Sequence, residues 1–101
     1  MANTKFNHVW VIDTPAAIVD DEPVCIRTIR WVGTIAGAET VEITDLDPKL
    51  SAPVVWESAA SVAGAIAEES NPWDLTLMFG FGVPTLGAGK LYVYLAHVGM
   101  R

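Results

Sequence analysis

Short runs of valine, isoleucine and threonine recur along the whole chain, and each is cut off within a few residues by glycine, proline, aspartate or asparagine. Branched side chains suit a pleated, half-buried surface, and the interrupting residues are those that tight turns demand. A chain punctuated this way is restricted to a fold of many short strands. Its clearest member is Glu39 to Thr44, where Val41 and Ile43 fall on one face and Thr40, Glu42 and Thr44 on the other. That is the period of a strand with one buried and one wet side.

The same reading finds a run from His8 to Asp13 closed by Thr14-Pro15, another from Val24 to Val32 closed by Gly33, and a third from Pro53 to Ala59. Asp74 to Phe79 and Phe81 to Leu86 read as extended chain, with Gly80 and Gly82 marking a bend or bulge. The turn Gly87-Ala88-Gly89 leads into a closing strand from Lys90 to His97. Between Ser58 and Ser70 the chain turns alanine-rich. There Val62 and Ile66 suit a turn or two of helix, whereas Ala65 to Glu68 suits a short strand, and Gly64 weakens the helix by about 1 kcal/mol relative to alanine. Seven or eight short strands in 101 residues predict one all-β domain, an antiparallel β-sandwich or a jelly-roll-like fold.

A two-layer fold of this size hides only one face of each strand, and here several strands are apolar on both. In the closing strand Leu91, Val93 and Leu95 oppose Tyr92, Tyr94 and Ala96. In the first, Val9 and Val11 oppose Trp10 and Ile12; in the second, Ile29 and Trp31 oppose Ile26 and Val32. With 51% of the residues hydrophobic and 18% charged, this predicts apolar surface left over for a partner. The expected interface residues are Trp10, Tyr92 and Tyr94, and the expected core residues are Trp31, Val41, Ile43 and Trp56.

Six lysines and arginines stand against twelve aspartates and glutamates, a net charge of -6. A phosphate backbone is repelled by that balance, and the basic residues are dispersed along the chain, so no nucleic-acid partner is expected. No apolar run approaches the roughly 20 residues needed to cross a bilayer, and the first residues lack the apolar core of a signal peptide. The expectation is a protein made in a cytosol, without a membrane partner.

Candidate chemistry is sparse. His8 and His97 lie near opposite ends of the chain, without the further ligands that a metal site needs. Asp20-Asp21-Glu22 and Asp45-Leu46-Asp47 read as turns whose carboxylates cap backbone amides, and calcium is the costlier alternative because the helix-loop-helix ligand spacing is absent. Glu57, Glu68 and Glu69 have no flanking pattern of an acid and base pair. Cys25, the only cysteine, has no adjacent base and reads as an inert core or interface residue. The glycine-rich segments lack the lysine and hydroxyl of a phosphate loop. The expectation is a binding or assembly protein that is not an enzyme and has no cofactor or metal.

The segments Ile29-Arg30-Trp31-Val32-Gly33, Glu39-Thr40-Val41-Glu42-Ile43, Val54-Val55-Trp56-Glu57 and Pro84-Thr85-Leu86-Gly87-Ala88-Gly89-Lys90-Leu91-Tyr92-Val93-Tyr94-Leu95 occur in a characteristic order. Over about Val24 to Leu95 this resembles the small all-β virion proteins of tailed bacteriophages, with Ser58 to Ala67 as a departure. The resemblance implies a minor capsid or decoration (cement) protein on the outside of a head shell, as a dimer or trimer. Its partners would then be the major capsid protein and copies of itself, and its location the virion. Two alternatives stand beside it: a carbohydrate- or receptor-binding β-sandwich stacking its ligand on Trp10, Trp73 or Tyr92, and a tail or neck component.

Overall fold

The computed structural model describes residues 3–35, 37–49, 51, 53–60, 63–72 and 75–96. Val62, Trp73, Asp74 and His97, named above, lie outside them. The first five strands are β1 (Thr4–Phe6), β2 (Val9–Ile12), β3 (Ala16–Asp20), β4 (Val24–Ile35) and β5 (Glu39–Asp45). The other five are β6 (Val54–Ala60), β7 (Gly64–Ser70), β8 (Leu75–Leu77), β9 (Phe81–Leu86) and β10 (Lys90–Leu95). They form two antiparallel sheets. One has the order β1-β2-β10-β4-β7, with β8 also on β4; the other has the order β3-β9-β5-β6. The fold is the expected all-β sandwich, with ten strands among the described residues where the sequence predicts seven or eight.

The extra strands have local causes. Asn7 adopts φ 57°, a conformation that asparagine tolerates, so the chain reverses at Asn7-His8 and β1 pairs with β2. Ala16–Asp20, between Thr14-Pro15 and the acidic turn Asp20-Asp21-Glu22, lies along β9 as a strand with a shifted register. In the alanine-rich segment the strand alternative holds: Gly64–Ser70 pairs residue by residue with Ile35–Ile29 of β4. Gly64 already costs a helix about 1 kcal/mol, and a seven-residue ladder on the open edge of β4 favours the strand further.

A β-bulge changes the inside of the sandwich. Tyr94 pairs with Thr28 but Leu95 pairs with Ile26, so Arg27 is an extra residue in β4. The expected opposition of Ile26 to Ile29 and Trp31 therefore fails, because the bulge restores Ile26 to the inner face and all three side chains are fully buried. Around them pack Ile12, Leu91 and Val93 from the same sheet, and Val41, Ile43, Phe81 and Val83 from the other. The Trp31 indole Nε1 donates to the carbonyl of Ala88 at 2.8 Å, which gives its one polar atom a partner inside the hairpin turn. Gly33 and Gly89 meet there so closely that a Cβ on Gly33 would stand 2.6 Å from the Gly89 Cα.

Polar side chains close the two open sides of the sandwich. Along one, the Trp10 Nε1 of β2 donates to Asp20 Oδ2 of β3 at 3.0 Å, and Lys5 Nζ lies 3.9 Å from the same oxygen. Along the other, the Ser58 hydroxyl of β6 donates to the Glu68 carboxylate of β7. Each contact joins a strand of one sheet to a strand of the other, so both sheets are held at their margins as well as through the core.

Candidate functional site

The six-stranded sheet carries on its outer face the residues that alternate with its buried ones. Pairing aligns them in rows. Glu69 of β7, Arg30 of β4, Tyr92 of β10, Val11 of β2 and Thr4 of β1 form one row; Thr28, Tyr94, Val9 and Phe6 form the next. Val32 and Lys90 are opposite each other one step further. Tyr92, Tyr94, Val9, Val11 and Val32 are half-buried by their own neighbours, and Phe6 at the margin is 61% exposed. The result is an aromatic and aliphatic stripe bordered by cations. A cleft of about 460 Å³ opens beside it, lined by Arg27, Thr28, Arg30, Glu69, Tyr94 and His8 among others. Arg30 Nε stands 3.6 Å from Glu69 Oε1, an exposed pair of little energetic weight.

The structure thus brings Tyr92 and Tyr94 together on one face and separates Trp10 from them. Trp10 turns inward, packs against the core and donates to Asp20, so its indole lies between the sheets, away from the outer surface where it was expected. Lys5, its pairing partner on β1, sits with its Nζ 6.0 Å from the centre of the Trp10 ring. Of the expected core residues, Trp31, Val41 and Ile43 are fully buried, and Trp56 packs against the core half-buried.

The acidic loops are capped turns. Asp20 Oδ1 accepts from the Glu22 amide at 3.0 Å, Asp45 Oδ1 from the Asp47 amide at 3.0 Å, and Asp47 Oδ1 from the Lys49 amide at 2.9 Å. Among the described residues no group of three or more His, Cys, Asp or Glu side chains is placed to hold a metal ion. Cys25 is half-buried and its Sγ accepts from the Thr76 hydroxyl at 3.6 Å. His8 borders both the cleft beside Tyr94 and a second cleft of about 370 Å³ that also touches Lys5, Asp20 and Glu22.

Sequence reasoning missed the charged residues of the two outer faces. Arg30 was legible, since it alternates with buried Trp31 and must face outward. The cross-strand neighbours were not. On the four-stranded sheet Glu42 of β5 lies directly opposite Glu57 of β6, two like charges that repel across the ladder. Neither enters an ion pair among the described residues.

Compared with family models, with curated proteins and with solved structures, the chain finds no match. Its functional reading rests on the residues themselves.

Proposed function

We propose that the chain is a structural virion protein of the head-decoration (cement) type. It is a subunit without catalytic activity that binds the outside of a capsid shell and stabilises it through contacts with the major capsid protein and with copies of itself. The observation that carries this reading is the outer face of the six-stranded sheet. Tyr92 and Tyr94 lie there among Val9, Val11 and Val32, with Arg30 beside them. Tyrosine and arginine around an aliphatic centre are the residues that interfaces concentrate. The likeness of the segments from Ile29 to Leu95 to tailed-phage virion proteins supports the capsid in particular.

On this reading the action is mechanical. A subunit that bridges neighbouring shell proteins opposes their separation, and contacts too weak to persist singly become lasting when repeated on a lattice. The net charge of -6 keeps unassembled subunits apart in solution. Reconstruction of particles from the source of the chain is the test, together with co-sedimentation of the purified protein with empty shells. Density for the chain on the outer shell, and shell binding that Tyr94→Asp abolishes without lowering the unfolding midpoint, is the expected result. Absence from the head, or equal loss of folding and binding, would sink the proposal; density at the tail or neck would move the chain to that part of the particle.

One observation favours a second reading, a glycan- or receptor-binding module. The cleft beside Tyr94 combines an aromatic ring with Arg27, Arg30, Thr28 and Glu69, a set able to stack on a sugar and hydrogen-bond its hydroxyls. A glycan array with no signal above background removes this reading, and binding lost on Tyr94→Ala would establish it.

A further inference from the structure

Charge is sorted between the two sheets. The strands of the four-stranded sheet contain Asp20, Glu39, Glu42, Asp45 and Glu57, and no lysine or arginine. The strands of the six-stranded sheet contain Lys5, Arg27, Arg30 and Lys90 against Glu68 and Glu69. Glu68 is turned toward the other sheet by its bond from Ser58, and Lys5 and Asp20 likewise meet between the sheets, so the strand charges presented outward include Arg30 and Lys90 with Glu69 on one layer and Glu42 and Glu57 on the other. An acidic protein has therefore gathered its strand cations on one layer and left the other wholly anionic.

Shape follows the same division. The cationic face bears bulky side chains, Tyr92 and Tyr94 with Arg30 and Lys90. The anionic face is low: Thr40 pairs with Ala59 and Glu42 with Thr85, and a hollow of about 550 Å³ lies over Thr40, Ala59 and Thr85 with Glu39 at its side. Glu42 and Glu57 are direct partners across the ladder beside it, and repulsion between such like charges is relieved by any cation or hydroxyl donor brought from outside.

Resting on the reading of the chain as an assembly subunit, we propose that the occupant of the tyrosine-bearing face is a second copy of this chain, docked by its four-stranded sheet. Tyr92, Tyr94, Arg30 and Lys90 of one copy meet the Thr40–Ala59–Thr85 hollow and the Glu42–Glu57 pair of the next. The two surfaces differ, so the contact is heterologous: it leaves one face of each kind free and continues into a ring or a row of subunits. Such a repeat places neighbouring copies in one orientation, as coverage of an extended shell requires. It also makes association salt-sensitive, because the paired charges lie at a solvent-accessible boundary.

Charge-reversed variants decide the matter. Glu57→Lys alters the anionic face and Arg30→Glu the cationic one, and sedimentation velocity at several protein and salt concentrations reads association. The parent chain is expected to associate with rising concentration and to dissociate in high salt. Each variant alone should associate on the order of a hundredfold more weakly. An equimolar mixture of the two should recover association, since every face then has a complement. Glu57→Lys also removes an internal repulsion, so it should unfold no earlier than the parent, which separates its effect from misfolding. A strictly monomeric parent, or a mixture no better than its components, overturns the contact. So does a loss caused by Arg30→Glu alone, which indicates a symmetric dimer of cationic faces. A monomer that still coats shells overturns the head-to-tail contact while leaving the decoration reading intact.

Discussion

The Trp10 indole of one sheet donates to the Asp20 carboxylate of the other at 3.0 Å, and this bond joins the two layers along their β2/β3 side. Asp20 is 9% exposed, accepts from the Glu22 amide through its second oxygen and lies near Lys5. Loss of the carboxylate leaves a half-buried indole N–H without its acceptor. Asp20→Ala is expected to cost about 1–3 kcal/mol in urea unfolding, with Asp20→Asn costing less because it keeps an acceptor oxygen. An Asp20→Ala variant as stable as the parent would show that the core alone holds the layers in register.

The reversal between β1 and β2 turns on Asn7 at φ 57°. Valine there has to adopt a left-handed conformation that costs a branched residue about 1–2 kcal/mol, whereas glycine adopts it freely. Asn7→Val should therefore lower the thermal midpoint by about 4–8 °C per kcal/mol lost in a domain of this size, and Asn7→Gly should leave it nearly unchanged.

Two glycines should respond in opposite ways to alanine. Gly80 has φ 88°, and a Cβ on it would fall 1.8 Å from the Asp20 carbonyl oxygen, so Gly80→Ala is expected to prevent the β8 to β9 turn from docking and to abolish the cooperative unfolding transition. Gly37 has nothing within 4 Å of such a Cβ and no positive φ. Gly37→Ala should raise stability by about 0.4–1 kcal/mol through the unfolded chain. Chemical denaturation of the pair checks both.

The facing of Glu42 and Glu57 across β5 and β6 gives a stability prediction of its own. Replacing one carboxylate by a cation converts a repelling pair into an attracting one, worth about 0.2–1 kcal/mol. Glu57→Lys should gain that amount in low salt and lose most of the gain in high salt, and denaturation at two ionic strengths reads the difference.

Strand identity was legible where alternation is local. Val41 and Ile43 are buried with Glu42 between them facing outward, and Leu91, Val93 and Leu95 are buried with Tyr92 and Tyr94 outside, as their period requires. Where a bulge intervenes, the period misleads. The extra residue Arg27 moves Ile26 to the inner face, and Val55 is an extra residue between the pairings of Val54 and Trp56, so both Val55 and Trp56 pack against the core. A bulge is decided by the partner strand, which lies tens of residues away, and no local pattern encodes it. The inward direction of Trp10 follows from its alternation with buried Ile12, whereas its acceptor Asp20, on a strand of the other sheet, could not be read from the local pattern. The candidate interface was therefore half legible: its tyrosines follow from alternation, whereas the sorting of charge between the layers emerges only once strands are assigned to sheets.

β10 lies between β2 and β4. During synthesis the early strands consequently wait for a neighbour made late: residues 9–12 and 26–32 have no shared ladder until residues 90–95 have left the ribosome. Until then one flank of the longest strand offers unmet amides and carbonyls, with Ile29 and Trp31 uncovered on that side, to any other nascent chain nearby. Translation order and spatial order run against each other here. The protein must complete its larger layer by inserting a middle piece, a step whose long sequence separations slow it and tie the folding of both halves to a single event.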